Sequence, residues 1–410
     1  MGELEIRVLR ADEFDLYLEL AQYAFQIEMT EEQTNDARGR FKPEHVTGAF
    51  EDGNLAAMLT IIPLDIYLQG AKVQMGGVAG VSSWPEKRRQ GCVGKLIAHA
   101  LEQMRSSGQT VSMLAPFSFS FYRKYGWEMA FEHKKYTIAT SFLPPRIDTG
   151  GRVERRDNDR ELVAEIYEAY ASRYNGTLSR SAEWWTTSVY RRKKGSTAVY
   201  FGADNRPSGY AIYKVQDRKL TIHELVYLDE EARRALWTFF ANHDSMIDET
   251  VVTAPADDDL PFLLPNPRIG QEMVPYFMAR IVDVEQLVNM YRFAEGVRGH
   301  FTLRLTDSYA PWNEGVWRFT ADGSGGAALE LERGADPVSP ETESETAATL
   351  EHYDHDNELT CGIETLSAIL FGFKRPLELV RAGRLNGSLD SAELLEKLIP
   401  RRSTYLLDFF

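Results

Sequence analysis

Val73-Gln-Met-Gly-Gly-Val-Ala-Gly-Val-Ser-Ser83, running on into Trp84-Pro-Glu-Lys-Arg-Arg-Gln-Gly-Cys-Val-Gly94, decides the fold of this 410-residue chain. The first half alternates as a strand does, and its small residues let a ligand lie close against the backbone. The second half turns sharply into a helix whose apolar face is Val93, Ile97, Ala100, Leu101 and Met104, with Gly108 marking its end. A turn that closes on glycines at a helix start offers unpaired N–H groups and the positive end of the helix dipole, and Arg88 and Arg89 add formal charge. That combination suits a diphosphate. The plainer alternative is a solvated basic turn opening an ordinary helix.

The residues beyond it shift the balance. After a strand over 110–115 comes Phe117-Ser-Phe-Ser-Phe-Tyr122-Arg-Lys-Tyr-Gly126-Trp127. The two stretches together resemble the GCN5-related N-acetyltransferases (GNAT), with an acetyl-CoA loop Q/R-x-x-G-x-G/A and a later F-Y-x-x-x-G-[FW] whose tyrosine lies beside the thioester sulfur. The resemblance implies that Val81, Ser82, Ser83, Arg88, Arg89, Gln90, Gly91, Cys92, Val93, Gly94, Phe117 and Ser118 hold acetyl-CoA. It also implies that Tyr122 is the general acid, against the alternative that Tyr122 merely packs in an aromatic cluster. Counted from Arg88, Val93 stands where the family usually has a second small residue, and Gly94 follows it. More closely, V-x-S-x-x-P-x-x-R-R-x-G followed by F-Y-R-K-Y-G-W resembles the Eis (enhanced intracellular survival) acetyltransferases. That family implies two tandem GNAT acyltransferase folds, the second degenerate, and then a sterol-carrier-protein-like α+β domain. It further implies an aminoglycoside as acceptor and a homohexamer.

Composition agrees with a multidomain α+β and α/β protein: 43% hydrophobic and 11% aromatic residues are ample for several cores. Cys92 and Cys361 make neither a disulfide framework nor a zinc pattern, and no leader or 18-residue apolar run is present, so the expected compartment is the cytoplasm. A net charge of −15 argues against nucleic-acid and membrane partners and suits a cationic amine. His352, Asp354, His355 and Asp356 match no zinc signature and read as a solvated loop, so no metal is expected.

In chain order, a strand over 4–9 and a helix with Phe14, Tyr17, Leu18, Ala21 and Phe25 on one face open the first domain. Glu28, Glu31 and Glu32 follow in an acidic stretch as candidate amine contacts, or as one solvated helix face. Asp52-Gly53 and Gln69-Gly70 are hairpin turns. Pro144-Pro145 and the glycines after it set a boundary, giving domains at 1–146, 147–283 and 284–410.

The second domain repeats the plan of the first, with helices over 159–170 and 181–190 and strands over 197–201, 210–215 and 220–228. A helix over 230–242 and a strand over 250–254 complete it. Its turn, Tyr227-Leu-Asp-Glu-Glu, puts acids where phosphate would sit, so it should bind no CoA. Arg191-Arg-Lys-Lys194 reads as a surface basic run. The third domain has a helix from 284, strands over 301–305, 315–320 and 327–331, a polar insertion over 333–346 and helices over 361–371, 376–382 and 391–398.

Two classes of function stay open: an N-acetyltransferase acting on primary amines of aminoglycosides, protein lysines or polyamines, and a non-catalytic CoA- or lipid-binding module. The tail Leu406-Leu-Asp-Phe-Phe410 is too apolar for a solvated end. Docked in an apolar cleft, its terminal carboxylate at Phe410 would gain basicity by desolvation. The Eis resemblance likewise implies that this carboxylate is the general base; simple hydrophobic docking is the alternative.

Overall fold

The computed structural model describes residues 4–156, 159–334 and 357–410. Three sheets organise it. The first runs Leu4–Val8, Val46–Glu51, Asn54–Leu68, Ala71–Ser83, Val111–Leu114, Met278–Ile281, Glu128–Met129. Both expected hairpin turns are present, Asp52-Gly53 and Gln69-Gly70 each holding two consecutive residues at positive φ, as a two-residue turn between twisted strands requires. The helix Cys92–Ser106 buries Leu96, Ile97, Ala100, Leu101 and Met104 against the sheet. The opening helix, Phe14–Phe25, buries Phe14, Leu20 and Ala21, while Phe25 lies past the packed face and is exposed.

The first two sheets exchange strands. Glu132–Ala139 leaves the first sheet and pairs with Glu249–Pro255 and Gly270–Pro275 in the second. In return Met278–Ile281 inserts between Val111–Leu114 and Glu128–Met129 of the first. The exchange is pinned where the two segments cross, the N–H groups of Ala130 and Phe131 both bonding to the carbonyl of Phe277 at 3.2 Å. Each sheet thus lends the other a strand.

The second sheet runs Gly270–Pro275, Glu132–Ala139, Glu249–Pro255, Lys219–Tyr227, Pro207–Gln216, Ser196–Phe201, Arg152–Arg155, with the helices Arg160–Ala171 and Glu230–Ala241 packed on it. The helix expected over 181–190 is instead the short turn Ala182–Trp184, the π-helical Trp185–Val189 and a last turn Tyr190–Arg192. A π turn takes one more residue than an α turn and so changes which side chains face inward.

The third sheet runs Ala327–Gly334, Gly315–Asp322, Arg298–Thr306, Glu358–Gly362, Asn386–Gly387. Its apolar face joins the face of the first sheet that carries Ile66, Met75 and Met113 in one continuous core, into which Leu406 and Phe410 also reach. The buried Arg280, paired with Asp307, ties the inserted strand to this third unit. His352, Asp354, His355, Asp356 and most of the polar insertion lie outside the described residues. Among the described residues no group of three or more His, Cys, Asp or Glu is arranged to hold a metal, and no helix is long and apolar enough to cross a membrane.

Candidate active site

Ala71–Ser83 runs parallel to Val111–Leu114 only from Met75↔Val111 to Val78↔Leu114. Past that pair the strands part. On the other edge the register against Asn54–Leu68 slips between Ala79 and Ser82, a bulge eased by Gly80 at φ +60°. The stretch 79–83 therefore lines a wedge-shaped opening at the carboxyl ends of two parallel strands, where open α/β sheets take ligands. Val81 sits there half-buried, and Ser82 and Ser83 are buried.

The turn over 84–91 leads from the wedge to the helix Cys92–Ser106. Lys87 is bound to Glu51, and the Gln90 amide donates to the Glu86 carbonyl at 2.8 Å, closing the loop. Arg88 and Arg89 are exposed and, among the described residues, form no ion pair. Gly91 is the N-cap at φ +83°, a conformation that favours glycine, and no side chain caps the helix. The first intrahelical bond is Lys95 N–H to Gly91 C=O, so the N–H groups of Cys92, Val93 and Gly94 have no helical partner. Gly94 faces Tyr125, whose ring would be 3.7 Å from an added Cβ, and Cys92 turns its thiol into the core. Open amides, a dipole end and two uncommitted guanidinium groups make an anion cradle.

Tyr122 stands on the short helix Phe119–Arg123, which Ser118 caps by accepting from the Phe121 N–H. It is 3% exposed and shares a core cluster with Val78, Leu114 and half-buried Val81, the residues at the mouth of the wedge. Its ring meets Phe121 at 5.1 Å and Phe117 at 5.5 Å edge-on, while Phe117 itself is 73% exposed and forms the rim. Burial, with Tyr125 nearby, pushes the Tyr122 phenol well above its ordinary range, so it keeps its proton.

The other face of Ala71–Ser83 meets the end of the chain. Gly76 faces the helix side, and Gly77 faces the Phe410 ring so closely that an added Cβ would come within 2.9 Å of it. Phe277 stacks edge-on against Phe410 at 4.9 Å, and Trp184 lies 6.4 Å away. Among the described residues the terminal carboxylate has no ion-pair partner. Tyr122 and Phe410 thus approach one strand from opposite faces.

The expected substrate acids divide. Glu28 lines a cavity of about 540 Å³ together with Arg88, Tyr23 and Ile27, beside the cradle. Glu31 and Glu32 are instead the exposed first turn of Glu31–Arg40, capped by Thr30, and do not line it. Sequence reasoning missed Arg180, Trp184 and Lys193. Arg191, Arg192 and Lys194 are exposed, as a surface basic run would be, but the Lys193 amine is buried against Glu224 and donates to the Leu407 carbonyl at 2.7 Å, and Arg192 lies over the Phe409 ring. The signal available was Asp408, a lone acid in an apolar tail that needs a buried cation.

In the second domain Lys219–Tyr227 parallels Glu249–Pro255 from Lys219↔Glu249 to Ile222↔Val252 and then parts from it. Only Leu228 and Asp229 separate that strand from the helix Glu230–Ala241, and the Asp229 carboxylate caps it by accepting from the Ala232 N–H at 2.7 Å. Glu230 pairs with Arg233, and Glu231 accepts from the Tyr200 hydroxyl. This helix start is thus capped, and its acids are partnered.

Family models for the acetyltransferase (GNAT) domain match residues 5–130 and again 176–281, and a sterol carrier protein domain matches 284–407. The Eis N-acetyltransferase of Mycobacterium tuberculosis is 27% identical over 238 residues, covering 55% of this chain and 59% of that protein. The chain is an Eis-like GNAT acetyltransferase. An uncharacterized N-acetyltransferase of Streptomyces avermitilis is 24% identical over 92% of this chain and 90% of its own length. A solved Enterococcus faecalis protein, described as a probable N-acyltransferase, shares 27% identity over the whole of both chains with a TM-score of 0.88. Eis1 of Mycobacterium abscessus, at 20% identity and TM-score 0.78 over 99% of this chain, shares the fold of this Eis-like enzyme.

Proposed function

We propose that this Eis-like enzyme acetylates a primary amine of a cationic acceptor of the aminoglycoside class, taking the acetyl group from acetyl-CoA by direct attack. Acetyl-CoA supplies an activated acyl thioester. Arg88, Arg89 and the open amides of Cys92, Val93 and Gly94 would hold its diphosphate. A backbone N–H of the stretch 81–83 would take the charge that develops on the acetyl oxygen. The Phe410 carboxylate would take a proton from the acceptor's ammonium, leaving a neutral amine to attack; that nitrogen would lose its second proton to solvent as the carbon–sulfur bond breaks and Tyr122 gives its proton to the departing sulfur. Glu28 would attract the cationic acceptor.

The observation that carries this reading is Phe410 seated on Gly77, across the strand from a buried, protonated Tyr122. By family likeness the enzyme would assemble as a homohexamer, which sedimentation equilibrium tests. The chemistry is tested by following free thiol with acetyl-CoA and either an aminoglycoside or a lysine peptide, with mass spectrometry of the product. Release that depends on the aminoglycoside supports the reading; release only with the peptide moves the acceptor to protein lysine, and no release with either acceptor refutes turnover.

A further inference from the structure

Arg180 follows directly on the strand Leu178–Ser179, which pairs with Ile66 and Asp65 of the first sheet, and its side chain is wholly buried. Its guanidinium holds two carboxylates. One is Glu224, in a two-bond fork at 2.8 and 2.7 Å, and the other is Asp408 of the tail at 3.0 Å. Lys193 binds the same Glu224 and the Leu407 carbonyl. Trp184 donates to Asp408 at 3.0 Å, and the Tyr276 hydroxyl donates to the Asp408 carbonyl at 2.9 Å. Two cations and two anions, all out of water, leave no net charge, which is the condition under which such a cluster survives burial.

Its place in the fold is informative. Glu224 pairs with Ile212 on one side and lies beyond Ile222, where the pairing with Glu249–Pro255 has ended, as 79–83 lie beyond Val78 in the first domain. Where the first domain opens a wedge, the corresponding stretch of the second carries a clamped carboxylate whose partner arginine grips the tail. Asp408 is two residues from the end, and two residues span at most about 7 Å. Fixing Asp408 therefore fixes where the last carboxylate can go.

We propose that the second GNAT domain is a socket for the chain's own C-terminus, with Arg180 and Asp408 as positioning residues for the Phe410 carboxylate. The catalytic part of this proposal rests on that carboxylate being the base. The test uses the full chain with acetyl-CoA and kanamycin, and carboxypeptidase Y as a readout independent of activity. Asp408→Ala is expected to lower kcat at least tenfold, to leave the KM for acetyl-CoA within twofold, and to speed release of the terminal phenylalanines at least tenfold.

The double variant Lys193→Met with Asp408→Asn keeps the cluster neutral. It is expected to melt near the parent temperature yet show the same loss of kcat, and it decides the matter if Asp408→Ala does not fold. A folded variant with the parent's kcat and the parent's resistance to carboxypeptidase overturns the socket. A Phe410 deletion run alongside separates the two ideas. If the deletion keeps full kcat, the base reading falls and the carboxypeptidase rates alone decide the socket. If the deletion is inactive while Asp408→Ala is active and resistant, the socket falls alone.

Discussion

Two strand–turn–helix units in this molecule share one plan and differ in what they leave unsatisfied. In the first, a turn over 84–91 ends at Gly91, and the helix Cys92–Ser106 begins with no side-chain cap and beside two arginines that, among the described residues, form no ion pair. In the second, Leu228 and Asp229 suffice, and Asp229 caps the helix while Glu230 and Glu231 find partners of their own. The parallel strands part in both. The sheet is common to both copies, and the difference lies in the handful of residues between strand and helix. A capped helix is a more stable helix, and an uncapped one is an anion site.

The largest effect expected on this contrast comes from the chain end, whose carboxylate we propose serves the first unit. Adding one residue after Phe410, or deleting it, should lower kcat by about a hundredfold or more, the usual scale for losing a positioned base, with the fold and acetyl-CoA affinity kept. Steady-state rates across pH check this, and a C-terminally tagged enzyme matching the untagged one would remove the carboxylate from the mechanism.

Tyr122→Phe should cost a comparable or somewhat smaller factor in kcat, with little change in the KM for acetyl-CoA. Because burial raises the Tyr122 pKa, the proton-donating form persists at pH values where a free phenol, near ~10, is half ionised. The parent's kcat should accordingly show no alkaline fall up to pH 10. The same shift favours the fold fully below the unfolded value and is lost only as pH rises through the folded one.

Much of the first unit was legible because its signals are local. Gly53 and Gly70 set hairpin turns, the spacing of Ile97, Ala100, Leu101 and Met104 sets a helix face, and Tyr122 precedes a glycine and a tryptophan at fixed distance. What was not legible depends on distant partners. The residues 132–139 carry no record of which sheet will pair with them, so the exchange with Met278–Ile281 could not be read. Nor could the burial of Lys193 inside a run of four basic residues, since Glu224 and Leu407, which hold it, are far along the chain. The π turn at Trp185–Val189 likewise broke a helix whose periodicity looked regular.

A smaller effect is expected from the cradle itself. Arg88→Ala and Arg89→Ala should each raise the KM for acetyl-CoA about tenfold, since a charge-assisted contact to phosphate is worth ~1.5–3 kcal/mol, while the KM for the amine moves little. Equal effects on both substrates would place the arginines elsewhere in the cycle. Smallest of all, Asp229→Ala in the second unit should cost ~0.5–2 kcal/mol of stability in thermal unfolding and leave acetyl-CoA binding untouched.

The stoichiometry of acetyl-CoA binding tests the contrast most directly. Calorimetric titration of the full chain should give one site per chain, weakened by Arg88→Ala and indifferent to Asp229→Ala. Two sites per chain, or a single site that weakens with Asp229→Ala and ignores Arg88→Ala, would contradict it.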